Sequence, residues 1–240
     1  MDAVLARTPP LAAARIAREW ASTRERFAWP EPPAGDGRPA LLVPGFLAGD
    51  GSLRRMGAWL HEGGFVTGRS GIAFNVSCME PVVDELERRL EAAVERTGKR
   101  AVVVGQSRGG VIGRALAVRR PDLVETLVTL GSPLLHQLSV HPWQWANIGL
   151  VGLMGTMRVP GFFSVSCIRG DCCARSRGES LGAFPAGTRF VSLYSQADEV
   201  VRWRSCLDPA AELVEIPSTH LGMGMDRVVW EHLQEHLAPV

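Results

Sequence analysis

From residue 40 onward, short runs of consecutive apolar residues alternate with longer stretches whose apolar positions recur every three or four residues. An unbroken apolar run reads as a strand buried on both faces, and a 3.6-residue period as a helix with one inward face. The predicted strands are 40–43, 65–67, 101–104, 124–130, 189–194 and 213–216. The predicted helices are 53–62, a segment opened by Pro81 and ended by Gly98, 107–119 and 227–237. In the second helix Val83, Leu86, Leu90 and Val94 form the inward stripe, and Asp84, Glu85, Glu87, Arg88, Arg89 and Glu91 face out. This alternation predicts an α/β fold, a mainly parallel sheet with helices on both faces.

Two stretches break the rhythm. Residues 11–27 read as an amphipathic helix, with Ile16, Trp20 and Phe27 near one stripe, and Pro30, Pro32, Pro33, Gly35, Gly37 and Pro39 mark a linker after it. Residues 1–38 are therefore expected to be an N-terminal helix and linker packed on a domain spanning 39–240. Residues 134–186 are rich in Gly, Trp, Met and Cys and have no clear period. An insertion of this size is expected to form a lid above the sheet.

The 240 residues suit one domain. Lys and Arg total 26 and Asp and Glu 25, so the net charge is +1 and no basic block exists to hold a nucleic acid. At 46% hydrophobic and 21% charged, the composition excludes a disordered chain. The longest uncharged stretch, 142–157, carries Gln144, Asn147, Gly149, Gly152 and Gly155 and falls short of the ~20 apolar residues of a spanning helix. Arg15, Arg18 and Glu19 interrupt the N-terminal apolar run, so no secretory signal is read and a cytoplasmic location is expected. Of five cysteines, Cys167, Cys172 and Cys173 cluster. They lack the paired two-residue spacing of a zinc ribbon and have no obvious fourth ligand nearby. Reduced structural thiols, one local disulfide and a metal site are the readings, in that order.

Gly105-Gln106-Ser107-Arg108-Gly109 follows one apolar strand and opens a helix. A strand turning this sharply into a helix puts Ser107 at a strained apex, where side chains at 105 and 109 would collide. A serine nucleophile needs a base to take its proton and a group to orient that base. His220 stands just past the last strand, and Asp198 just past the strand before it. Glu199 is one residue off and is expected to point elsewhere. Ser107, Asp198 and His220 each follow a strand's carboxyl end, and in an open parallel sheet those ends share one edge, where ligands bind. An oxyanion hole is expected from the backbone N–H groups of Arg108 and of Phe46, in the turn after the first core strand. Trp143, Trp145, Leu153, Met154, Phe162 and Phe163 in the insertion are candidates to line an apolar pocket. His232-Leu233-Gln234-Glu235-His236 matches a zinc-peptidase pattern, but on the last helix no segment follows to supply a third ligand, and it reads as a solvated face.

The stretches 42–46, 105–110, 130–133, 194–198 and 218–222 together resemble the α/β-hydrolase family, and within it small bacterial lipase- and esterase-like members. Two positions depart from the common pattern: Pro44 and Gln106 stand where many members have histidine. The resemblance implies hydrolysis of an apolar carboxylic ester through an acyl-serine, with no metal or cofactor. Acyl transfer or cyclisation at the same three residues is the second expectation, and a catalytically silent binding protein the third.

Overall fold

The computed structural model describes residues 29–238, so the helix expected over 11–27 lies outside the described residues. Six strands form one sheet: β1 (Pro39–Val43), β2 (Val66–Gly68), β3 (Ala101–Gln106), β4 (Val124–Leu130), β5 (Arg189–Tyr194) and β6 (Glu212–Glu215). Their order is β2-β1-β3-β4-β5-β6 and every pairing is parallel. The helices are α1 (Arg54–Glu62), α2 (Met79–Thr97), α3 (Arg108–Arg119), α4 (Gln144–Thr156), α5 (Val165–Arg169), α6 (Ala174–Leu181) and α7 (Arg227–His236).

The two-residue period of the strands divides the core. Val102 and Val104 pack on one face with Trp59, Leu60 and Trp230, and so with α1 and α7. Ala101 and Val103 point to the other face, against Val83, Leu86, Ile112 and Leu116 of α2 and α3. The inward stripe predicted for α2 is the buried one, except that Val94 is only partly buried. That helix begins at Met79, two residues before the proline, because the N–H that Pro81 lacks has no intrahelical acceptor in a first turn. It ends on Gly98, left-handed at φ 69°, whose N–H returns to the Val94 carbonyl at 2.7 Å.

The segment 134–186 is more regular than its sequence suggests, since it supplies α4, α5 and α6. In α4, Ile148 and Val151 turn inward, joining Val140, Phe163, Val200 and Val201 in a small third core at the carboxyl edge of the sheet. Leu150 and Leu153 turn outward, 59% and 53% exposed, and this two-sided apolar character hides the helical period. Arg114 of α3 fastens the far end of the segment. It pairs with buried Asp208 at 2.8 Å and donates to the Ser180 and Gly182 carbonyls at 2.9 Å each, satisfying the end of α6.

Candidate active site

Parallel pairing puts all the carboxyl ends on one edge, and the three predicted site residues gather there. Ser107, between β3 and α3, has φ 53° and ψ −123°. A non-glycine residue in that region costs roughly 1–3 kcal/mol and persists only where its surroundings enforce it. Here its N–H donates to the Leu130 carbonyl at 2.8 Å, and its own carbonyl accepts from Gly110 at 3.0 Å. A Cβ on Gly105 would lie 2.5 Å from the Gly109 carbonyl oxygen, and one on Gly109 would overlap the carbonyls of Val43 and Pro44. The turn is that tight because α3 starts against the end of β1.

Asp198 and His220 meet at the same edge, with Oδ2 of Asp198 2.7 Å from Nδ1 of His220. Both are buried, at 1% and 4% exposure. The other carboxylate oxygen, Oδ1, accepts the N–H groups of Val200 and Val201 at 2.8 and 2.6 Å, which fixes the carboxylate before it meets the ring. Gly131, after β4, leaves room for the pair: a Cβ there would stand 3.0 Å from Asp198 Oδ2 and 3.1 Å from His220 Nδ1. Burial alone lowers the pKa of His220, but the charge and hydrogen bond of Asp198 and the charge of Glu199 outweigh it, and the net shift is upward. The Asp198 contact is made through Nδ1, and among the described residues no hydrogen bond joins the ring to the Ser107 hydroxyl. Such contacts commonly tighten only when a substrate is present.

Three positioning contacts escaped the sequence reading. Gln106, one of the two departures from the family pattern, donates from Nε2 to the His220 carbonyl at 2.9 Å and ties the histidine loop to the residue before Ser107. Glu199 does not point elsewhere: its Oε2 accepts the His220 backbone N–H at 3.0 Å. Its Oε1 is buried without a partner, which leaves a negative charge close to the imidazole. Asn75 joins the Phe46 turn to Arg108, donating to the Pro44 carbonyl at 2.7 Å and accepting from Arg108 Nη1 at 2.5 Å. Gln106 fills a variable position of its motif, Glu199 and Asn75 belong to none, and each is 21 or more residues from its partner in sequence.

Ser107 opens into a cavity of about 120 Å3 lined by Phe46, Arg108, Val111, Leu138, Val140, Ile148, Phe163, Val200 and others. Arg108 is the first residue of α3, so its N–H has no intrahelical acceptor, and Arg108 and Phe46 line the same cavity as Ser107. Of the six predicted pocket residues Phe163 alone lines this cavity. Trp143, Trp145 and Leu153 are 53%, 44% and 53% exposed, Met154 does not line the cavity, and Phe162 packs against the third core without lining the cavity. The inward positions of α4 go to β-branched residues, which a count of large apolar side chains overlooks. Arg202 and Arg204 are exposed and away from the cavity.

In the last helix the donor atoms of His232, Glu235 and His236 lie within 4.8 Å of one another, yet Nδ1 of His236 already faces the Arg189 guanidinium at 2.7 Å. A cation there would meet that positive charge. No helix among the described residues is long and apolar enough to cross a membrane.

A six-stranded parallel sheet with helices on both faces has many solved counterparts, and the family model of the α/β hydrolase fold matches residues 59–158. This is an α/β-hydrolase fold. The mature lipase of Bacillus licheniformis superposes with a TM-score of 0.62 at 13% identity, covering 89% of this chain and 96% of that one. A soluble variant of the monoglyceride lipase of Saccharomyces cerevisiae, bound to a substrate analogue, gives 0.59 at 15% identity over 87% and 89%. A monoacylglycerol lipase of Paleococcus ferrophilus gives 0.53 at 16% over 85% and 96%. No curated protein matches at the level of sequence. Identities this low carry the α/β-hydrolase fold and not the substrate.

Proposed function

We propose that this α/β-hydrolase-fold protein is a serine ester hydrolase that cleaves an apolar carboxylic ester. The observation that carries the reading is the strained backbone of Ser107, held at φ 53° with its hydroxyl at the cavity. Strain at a nucleophile is kept because it exposes the oxygen. In the proposed reaction Ser107 Oγ attacks the ester carbonyl while Nε2 of His220 takes its proton. Asp198 holds the proton on Nδ1 and stabilises the imidazolium that forms. The N–H groups of Arg108 and Phe46 receive the developing oxyanion. His220 then protonates the departing alcohol, and water repeats the sequence to release the acid.

The cavity beside Ser107 is lined largely by apolar side chains, among them Val111, Val140, Ile148, Phe163 and Val200, which suits an apolar acyl or alkyl group. Each methylene buried there contributes about 0.8 kcal/mol, so rates should rise along a homologous ester series and then fall once the cavity is full. Residues 134–186 act in this reading as the cap over the site.

A fluorophosphonate probe should label the wild-type protein at Ser107, and Ser107→Ala should abolish both labelling and turnover of a chromogenic butyrate ester. An unlabelled but folded wild-type protein points instead to a silent hydrolase-fold binding protein. Retained turnover in the alanine variant overturns the assignment of the nucleophile.

A further inference from the structure

Four of the five cysteines come together beside the cavity although their sequence positions span 95 residues. Cys78 precedes α2, Cys167 lies in α5, and Cys172 and Cys173 belong to a short turn, Asp171–Cys173. Sγ of Cys172 is 2.7 Å from Sγ of Cys167 and 3.4 Å from Sγ of Cys78, and the three sulfur atoms all lie within 4.8 Å of one another. Cys173 is buried against the same group and donates to the Cys167 carbonyl at 3.7 Å. Cys78 is the additional ligand that the local spacing could not supply.

We propose that Cys78, Cys167 and Cys172 form a three-thiolate site for a zinc ion that clamps the 134–186 segment to the start of α2. Core packing does not account for the convergence, because Cys172 is exposed and Cys78 and Cys167 are half-buried, whereas packing cysteines are among the most buried residues. A disulfide accounts for only two of the three sulfurs. With Zn–S bonds of ~2.3 Å in tetrahedral geometry, neighbouring sulfurs stand roughly 3.7 Å apart. The separations present here, from 2.7 Å to within 4.8 Å, bracket that distance, and Cys172, on an exposed turn, has room to rotate. Three thiolates and one zinc ion carry a net charge of −1, and the Arg108 guanidinium lies close enough to Cys78 and Cys167 for its charge to offset this. Solvent takes the fourth position. Cys167 lines the cavity, so the ion would hold one of its walls. The ligands must be deprotonated, so zinc displaces protons on binding and its affinity falls as pH is lowered. This site does not depend on the reaction proposed for Ser107.

The test uses the full chain purified under reducing conditions, with elemental analysis followed by titration of the chelator-stripped protein with Co2+. One equivalent of zinc is expected, together with a thiolate-to-cobalt charge-transfer band in the near ultraviolet that saturates at one equivalent. Cys172→Ser, at an exposed position, and Cys78→Ser should each lose the band, while Cys206→Ser keeps it. Absence of zinc and of the band from a folded wild-type protein, with five free thiols counted after denaturation, overturns the proposal. Three free thiols after denaturation, with a 167–172 disulfide found by peptide mapping, overturn it in favour of that bond. A band that survives in Cys172→Ser also overturns it, because the ion must then sit elsewhere.

Discussion

Replacing Asp198 by Asn separates the chemistry of the proposed site from its folding. Asn keeps Oδ1, and with it the bonds from the Val200 and Val201 N–H groups at 2.8 and 2.6 Å. What changes is the atom facing His220: an amide N–H replaces the carboxylate oxygen 2.7 Å from Nδ1. That amide donates to Nδ1, so the ring proton moves to Nε2, and a histidine protonated there cannot accept the Ser107 proton. A tautomer error of this kind lowers kcat by about 10^3–10^4-fold, or roughly 4–5.5 kcal/mol of transition-state stabilisation. The stability cost is one charge-assisted hydrogen bond, about 1.5–3 kcal/mol, which moves Tm by several degrees in a chain of this length. Steady-state hydrolysis of a butyrate ester and a thermal melt measure the two effects separately. A variant that keeps more than a tenth of wild-type kcat would refute the role given to Asp198. A variant that loses activity only because it no longer folds would refute the claim that Oδ1 carries the structural load.

Other tests follow from the same contacts. Activity should rise with pH as His220 loses its proton, with a midpoint above that of an ordinary histidine because Asp198 and Glu199 favour the charged ring. Glu199→Gln removes one of these charges but preserves an oxygen for the His220 N–H, so its acid limb should move to lower pH in a pH–rate profile. An unmoved limb removes Glu199 from the electrostatics of the site. Arg114→Ala leaves Asp208 buried without its partner and uncaps the end of α6, and chemical denaturation should show a loss of about 3–5 kcal/mol. A loss under 1 kcal/mol would mean that water replaces the guanidinium.

The core and the order of its elements were legible in the sequence because they follow from local periods. An apolar run or a 3.6-residue stripe is a property of neighbouring residues, and β1, β3, β4, β5 and the helices α1, α2, α3 and α7 lie within two residues of the predicted bounds. Ser107 was legible for a related reason, since the glycines at 105 and 109 record a backbone approach only a few residues wide. Asp198 and His220 were reached by position after strands, and the parallel sheet brings them together.

What the sequence could not determine is set by contacts between segments far apart in the chain. The roles of Gln106, Glu199 and Asn75 depend on hydrogen bonds between separate loops. The wall of the cavity depends on which side of α4 faces the sheet, and a helix apolar on both sides does not encode that choice in its period. Cys78 joins Cys167 and Cys172 only because the 134–186 segment folds back over the start of α2. Local patterning determined the scaffold and the serine at its apex, while packing between distant segments decided the surroundings of that serine, because burial, electrostatics and cavity shape are fixed only when those segments meet.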